Sequence, residues 1–149
     1  MSAEGKTFFV DTNVLLYTLD STLGDKFERS RALVDALWQG GAGRLSWQVL
    51  NEFYSNATGK FKVSPPSVRA SVEVFALWQP VGFGLGVLHR GWHWMDKAGV
   101  PYWDSLILAA AETAGCAYLL SEVFQEGRKF DSVTVVHPFR SEPSGFGLG

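Results

Sequence analysis

The stretch Phe8-Phe-Val-Asp11-Thr12-Asn13-Val-Leu-Leu-Tyr17 changes character in its middle. An apolar run that begins at Lys6 ends at Asp11, and apolar residues resume after Asn13 with the spacing of a helix. This pattern predicts a strand, a turn and then a helix. Because ligands of open parallel α/β sheets bind beyond the carboxyl ends of the strands, Asp11 is a candidate site residue. Asp also caps helices, so a purely structural role fits Asp11 equally well.

The rest of the chain alternates between helix and strand patterns. Helices are predicted from Asp25 or Ser21 to Gly40, and at 48–59, 64–78, 85–97 and 101–115. Further strands are predicted at 44–46, 80–84, 117–120 and 133–136. Continuous apolar strands that alternate with helices indicate an α/β domain whose parallel sheet is covered on both faces.

The composition is that of one globular domain. The chain has 149 residues, a formal net charge of −2 and 46% hydrophobic residues, which excludes disordered and fibrous proteins. A chain of this length buries about 70% of its unfolded surface, enough for a core without disulfides or structural metal. Its one cysteine, Cys116, cannot form an internal disulfide. We expect a single domain over 1–140 and a flexible Pro-, Ser- and Gly-rich tail at 141–149.

The sequence predicts a cytoplasmic protein. Its polar start lacks the apolar stretch of a secretory signal. The longest apolar region, 106–120, is interrupted by Glu112 and Thr113. It falls short of the roughly 20 residues that a membrane helix needs. The weakly acidic total argues against bulk electrostatic capture of nucleic acid, although a local basic groove is compatible with it.

Two further acids are candidate site residues. Asp104 follows Pro-Tyr-Trp and begins an apolar, Ala-rich helix, whose macrodipole favours a carboxylate at that end. Glu52 lies on a helix opposite an apolar stripe, where a solvated glutamate is the default. If both gather near Asp11, the three acids repel one another unless a cation neutralises them, and Mg²⁺ or Mn²⁺ prefers carboxylate oxygens. Together they predict a site for a hard divalent cation.

Other motifs carry less chemistry. His89 and His93 are four residues apart with tryptophans between and beside them, and no third ligand follows, so a surface or interface role is favoured over zinc. Cys116 begins an apolar strand and is most simply a small core residue. The segment Gly82-Phe-Gly-Leu-Gly86 lacks the spacing of a dinucleotide-binding loop.

The acids recur in three ordered segments, Phe8-Phe-Val-Asp11-Thr12-Asn13, Leu45-Ser-Trp-Gln-Val-Leu-Asn-Glu52 and Pro101-Tyr-Trp-Asp104-Ser-Leu-Ile. Leu119-Leu-Ser121-Glu122 and a closing His137-Pro-Phe139 follow them. In order and spacing, from about residue 8 to residue 139, these segments resemble the motifs of PIN-domain nucleases. Within that family they resemble the VapC-like toxins of toxin–antitoxin pairs.

The resemblance implies a three-layer α/β/α sandwich with a central parallel sheet. It also implies a Mg²⁺- or Mn²⁺-dependent endoribonuclease that a partner antitoxin silences. By position, Asp11 and Asp104 are metal ligands, and Glu52 is a third acid that binds metal directly or through water. Thr12 and Asn13 then hold the Asp11 carboxylate. We further expect a homodimer, because Trp and Phe are abundant for so small a domain.

One position departs from the resemblance. Val123 stands where the family usually has a fourth acid, and a valine side chain cannot bind metal. Glu122 is adjacent, and Glu126 lies about one helical turn further on, so each is a candidate fourth ligand. With three acids alone, we expect weak metal binding and a poorly held second ion.

The predicted reaction is hydrolysis of an RNA phosphodiester by a metal-activated water. The candidate contacts for flanking phosphates are Arg44, Lys60, Lys62, Arg128 and Lys129. A rival hypothesis is a non-catalytic PIN-fold module that binds RNA or protein, and the departure at Val123 favours it. A phosphotransfer enzyme with Asp11 as covalent acceptor is a third hypothesis. The Thr-Asn pair after Asp11 and the lack of a suitably placed catalytic lysine count against this third hypothesis.

Overall fold

The computed structural model describes residues 5–140 together with Gly145 and Leu148. The strands in this part of the chain are β1 (Phe8–Val10), β2 (Gly43–Arg44), β3 (Tyr118–Leu120), β4 (Lys129–Phe130) and β5 (Val133–Val136). The helices are α1 (Thr12–Tyr17), α2 (Asp25–Gly40), α3 (Trp47–Gly59), α4 (Pro65–Phe75), α5 (Leu85–Ala98) and α6 (Tyr102–Thr113).

The five strands form one sheet in the order β2-β1-β3-β5-β4. All pairs are parallel except β4 with β5, which is antiparallel. Phe8 of β1 lies opposite Gly43 on one side and Tyr118 on the other. The central strands are buried and the helices flank the sheet, so the predicted three-layer α/β/α sandwich is confirmed.

Helix α6 is buried along most of its length, and every residue from 105 to 111 is buried. Helix α5 approaches α6 closely at Gly91, which has no side chain. A Cβ on Gly91 would lie 2.9 Å from Leu106 Cδ2. This Ala-rich helix is therefore part of the core. Its two ends are accessible, with Trp103 exposed in the amino-terminal turn and Thr113 at the last position.

The prediction of a strand at 80–84 is wrong. Only Val81 pairs, in an isolated parallel bridge with Ser46. Pro80 has no N–H to donate, and glycines follow at 82 and 84, so the segment lacks both the donors and the side chains that extend a strand. The sheet instead acquires β4, a two-residue antiparallel strand that the sequence did not predict.

Two helix boundaries are also clarified. Helix α2 begins at Asp25, and the residues from Ser21 to Leu23 form a separate 3₁₀ turn. The helix predicted to run to Trp78 ends as α4 at Phe75 and continues as a 3₁₀ turn through Trp78. Trp78 packs on the backbone of β2, where a Cβ on Gly43 would lie 2.4 Å from its ring.

Three other expectations concern burial and the chain end. Cys116 is buried in the core as predicted, and burial raises the pKa of its thiol to about 11. The tail at 141–149, which is predicted to be flexible, lies mostly outside the described residues. Its described residue Leu148 is buried near Gly40. Among the described helices, none has both the length and the apolar character to cross a membrane.

Candidate metal centre

Asp11 follows β1 directly and caps α1, so it combines the two roles that its sequence context allowed. Its Oδ1 accepts a hydrogen bond from the Thr12 N–H at 2.7 Å. Its Oδ2 accepts one from the Ser121 hydroxyl at 2.8 Å. Ser121 comes directly after β3, the neighbour of β1, and the Asp11 N–H donates to the Leu120 carbonyl at 3.2 Å. The carboxyl ends of two adjacent strands therefore hold this carboxylate in place.

Glu52 and Asp104 reach the same place from two helices. Glu52 lies in the middle of α3, and its Oε1 accepts a hydrogen bond from the Thr12 hydroxyl at 2.8 Å. Asp104 lies in the first turn of α6, where the helix macrodipole favours a negative charge. With Asp11, both line a cleft of about 170 Å³. The cleft is lined by Asp11, Thr12, Asn13, Glu52, Asn56, Asp104, Ile107 and Val123.

The environment of the cleft disfavours the ionised form of two of its carboxyl groups. Burial raises the pKa of Asp11 above its ordinary value. The hydrogen bonds from Ser121 and Thr12 act in the opposite direction, while the charges of Glu52 and Asp104 raise it further. Burial also raises the pKa of Asp104. No Lys, Arg or His is among the residues that the structure places around the cleft, so the carboxylates lack a cationic partner there.

The family model for the PIN domain matches residues 8–134. The chain belongs to the PIN domain family. The match spans all three acids and both strands that hold Asp11.

Solved structures share the fold of this PIN domain. One is a toxin–antitoxin complex from Klebsiella pneumoniae, with 17% identity, a TM-score of 0.66, and coverage of 89% of this chain and 98% of that chain. VapC20 from Mycobacterium tuberculosis, described as a sarcin–ricin loop cleaving toxin, has 15% identity, a TM-score of 0.57, and coverage of 76% and 87%. VapBC2 from Rickettsia felis, bound to a DNA fragment from the promoter of its genes, has 13% identity, a TM-score of 0.60, and coverage of 87% and 96%. The comparison with curated proteins finds no significant match.

The donor set of the PIN domain cleft fits a hard divalent cation, because carboxylates converge there without a cationic partner. Within the described residues, however, no three His, Cys, Asp or Glu side chains are close enough to ligate one ion together. Mg²⁺ is usually bound by one or two carboxylates and keeps several waters. The cleft therefore suits an ion that one or two of these acids bind directly and the remainder through water.

The two candidates for a fourth ligand are engaged elsewhere, whereas Val123 lines the cleft. Glu122 Oε2 lies 3.2 Å from Lys26 Nζ. Glu126 Oε1 accepts from Arg140 at 2.8 Å, and its Oε2 accepts from the His137 N–H at 3.1 Å. Neither glutamate is among the residues lining the cleft in the described part of the chain.

Thr12 and Asn13, the residues predicted to orient Asp11, make different contacts. The Thr12 N–H holds Asp11, but its hydroxyl holds Glu52, so Thr12 links two of the acids. Asn13 lines the cleft beside them. Sequence reasoning missed Ser121 and Asn56. Asn56 was detectable, because it lies four residues after Glu52 and therefore on the same face of α3.

The cations predicted to contact phosphate are scattered. Arg44 donates to the carbonyls of Gly41 and Gly43, on the amino-terminal side of β2 and away from the cleft. Arg128 stacks over Phe130 at 4.5 Å. Of the five, only Lys60 continues the spacing of Glu52 and Asn56, four residues beyond Asn56, and it directly follows the last residue of α3.

Proposed function

We propose that this PIN domain is a Mg²⁺- or Mn²⁺-dependent endoribonuclease and the toxin of a type II toxin–antitoxin pair. The convergence of Asp11, Glu52 and Asp104 on one cleft carries the proposal. Membership in the PIN family supports the nuclease assignment. The solved structures that share the fold include a toxin–antitoxin complex and a sarcin–ricin loop cleaving toxin, which supports the toxin assignment.

In this proposal Asp11 and Asp104 hold the ion, and Glu52 holds the attacking water. When bound, a divalent cation supplies charge that stabilises the phosphorane-like transition state and lowers the pKa of a water. The Thr12 hydroxyl fixes Glu52 through Oε1, which orients the carboxylate. We assign to Glu52 Oε2 the role of accepting a hydrogen bond from the water that attacks phosphorus.

The charge of the cleft sets the order of events. The three carboxylates have no cationic partner among the described residues that line the cleft and repel a phosphate, so RNA would approach only if a cation neutralised them first or entered with it. Lys60 is the best-placed candidate for a flanking phosphate, since it directly follows α3 and continues the four-residue spacing of Glu52 and Asn56. Arg44 is the least suitable, because its guanidinium is held by backbone carbonyls away from the cleft.

The test is cleavage of end-labelled structured RNA by purified protein in Mn²⁺, Mg²⁺ or EDTA. We expect cleavage with either metal and none in EDTA. The substitution Asp104→Asn should reduce the rate at least about 100-fold, because an amide keeps the shape but loses the charge that holds the ion. Asp96→Asn is the matched control, since Asp96 is exposed on α5 and does not line the cleft. Cleavage that persists in EDTA or in Asp104→Asn would contradict the assignment.

The rival function is a non-catalytic module of the same fold. The side chain of Val123 on the cleft wall favours it, since it offers no oxygen to an ion. RNA binding with no cleavage in either metal would support this rival. Cleavage that requires metal and Asp104 would eliminate it.

The proposed partner is an antitoxin whose tail enters the acidic cleft. An arginine suits this role, because its guanidinium pairs with carboxylates through two hydrogen bonds. Overexpression of the chain alone should arrest growth, and co-expression of the partner should relieve the arrest. Purification from the native host should recover a small second protein, and recovery of the chain alone without growth arrest would argue against a toxin.

We also propose that the chain is a homodimer. Large aromatic side chains are exposed, including Trp92 at 44%, Trp103 at 59% and Phe83 at 54%. Exposed aromatics are enriched at protein interfaces. Light scattering coupled to size exclusion should give twice the 16.4 kDa of one chain, and the monomer mass would contradict the proposal.

A further inference from the structure

Gln48 is a buried amide at the junction of α3 and α6. It is the second residue of α3 and is 6% exposed. Its Nε2 donates a hydrogen bond to the Trp103 carbonyl at 3.1 Å, across 55 positions of sequence. A carbonyl oxygen only accepts, so the –NH₂ group of the amide must make this contact. The buried donor is thereby satisfied by the first turn of another helix.

The hydrogen bond from Gln48 to the Trp103 carbonyl also constrains the backbone of Asp104. The Trp103 carbonyl and the Asp104 nitrogen belong to one peptide unit, whose six atoms from Cα to Cα lie in a plane. Fixing that carbonyl therefore fixes the plane that carries the Asp104 Cα. The amino-terminal turn of α6 has no side-chain cap at Pro101, so Gln48 supplies an anchor from outside the helix.

Gln48 lies on the same face of α3 as Glu52, the second acid of the cleft. Gln48 and Glu52 are four residues apart and lie one above the other on the helix. Glu52 contributes its carboxylate to the cleft, and Gln48 holds the peptide unit that presents Asp104. This hydrogen bond is therefore a direct link between the two helices that carry Glu52 and Asp104.

We propose that Gln48 is a positioning residue, which sets Asp104 against Glu52 for metal binding. The proposal rests on the proposed function of the cleft. Gln48 does not line the cleft among the described residues, so its effect on an ion passes through Asp104. Groups that orient metal ligands typically contribute about 10- to 100-fold in metal affinity or activity.

The test compares Gln48→Met with Asn51→Leu. Methionine matches glutamine in length and suits a buried site, but its side chain has no N–H donor. Asn51 is also on α3 and donates from its side chain, but to Trp47 of its own helix at 2.8 Å on an exposed face. Asn51→Leu therefore removes a hydrogen bond of the same helix without touching α6.

Two measurements are made on each protein. Calorimetric titration with Mn²⁺ gives the dissociation constant. Amide hydrogen exchange in metal-free protein reports the first turn of α6, where the Ser105 N–H donates to the Pro101 carbonyl at 2.8 Å. We expect Gln48→Met to weaken Mn²⁺ binding about tenfold or more and to accelerate Ser105 exchange. Asn51→Leu should change neither.

If Ser105 exchange is unchanged in Gln48→Met, the hydrogen bond from Gln48 does not anchor the first turn of α6. Accelerated exchange with an unchanged Mn²⁺ dissociation constant would overturn the positioning role. If the wild type binds no Mn²⁺, the proposed metal centre fails, and the positioning role falls with it even where exchange shows that the anchor exists. The proposal holds only when both measurements change in Gln48→Met and neither changes in Asn51→Leu.

Discussion

Each oxygen of the Asp11 carboxylate has a protein donor, the Thr12 N–H for one and the Ser121 hydroxyl for the other. Burial nevertheless raises its pKa, and the neighbouring carboxylates raise it further. A carboxyl with a raised pKa in the folded state binds a proton more tightly there than in the unfolded chain. Stability therefore falls as the pH rises from the ordinary carboxyl pKa to the raised one, and it stays lower above that range.

Asp11→Asn should consequently stabilise the metal-free protein at neutral pH. The amide can accept from Thr12 and donate to Ser121, but it carries no charge to desolvate. Each kcal/mol of added stability raises the melting temperature of such a domain by about 2–4 °C. The measurement is thermal unfolding in EDTA from pH 4 to pH 8, with Asp35→Asn, an exposed residue of α2, as control. A lower melting temperature for Asp11→Asn at pH 7 would show that the charge stabilises the fold.

Val123→Asp should tighten Mn²⁺ binding by about tenfold, because it adds a charged oxygen ligand to the cleft wall. Calorimetric titration measures the effect, and Leu77→Asp, at a side chain 73% exposed and away from the cleft, controls for added charge. Glu126→Gln should leave the affinity unchanged, since its carboxylate is held by Arg140 and His137. If Glu122→Gln weakens binding severalfold and Val123→Asp has no effect, Glu122 is the fourth ligand.

At the scale of elements, β2 is stabilised by a close contact that tolerates no side chain. A Cβ on Gly43 would lie 2.4 Å from the rigid ring of Trp78. Gly43→Ala should therefore displace the ring and cost about 1–3 kcal/mol. Gly82→Ala is the matched control, since nothing lies within 4 Å of its Cβ position. Chemical denaturation measures both free energies of unfolding, and equal values for the two variants would contradict the contact.

The elements that the sequence predicted well are those whose apolar spacing is long enough to be periodic. Helices α3, α5 and α6 satisfy this condition, as does β5. The two-residue β4 shows no period at all. The parallel bridge of Val81 depends on where Ser46 lies in space, which no local pattern encodes.

The same distinction applies to the residues of the cleft. Asp11 and Asp104 stand out in the sequence because one ends an apolar run and the other begins an apolar helix, whereas Glu52 stands out through the resemblance of its segment to a PIN-domain motif. Ser121 and Gln48 do not stand out, since their importance lies in partners 110 and 55 positions away. Side-chain hydrogen bonds between distant segments follow from the fold, and they become visible only after the fold is known.

At the scale of the whole molecule, the three acids come from separate segments, so an ion that binds them ties those segments together. A ligand that binds only the folded state at 100 times its dissociation constant stabilises it by about 2.7 kcal/mol. Mn²⁺ at that excess should raise the melting temperature by about 5–10 °C. Thermal unfolding with and without Mn²⁺ measures the shift. Mn²⁺ should not raise the melting temperature of Asp11→Asn. An equal rise in the wild type and the variant would show that the ion binds elsewhere.

The sheet order puts its two shortest strands at the two edges. The outer strands β2 and β4 have two residues each, and the bridge between Val81 and Ser46 continues beside β2 where that strand ends. Long unpaired edges are where chains join sheet to sheet and aggregate. In the described part of the chain each edge strand offers such a partner only two residues to pair with, which disfavours strand-swapped oligomers and fibre growth. Contacts through exposed side chains such as Trp92, Trp103 and Phe83 are therefore favoured over pairing of strand edges.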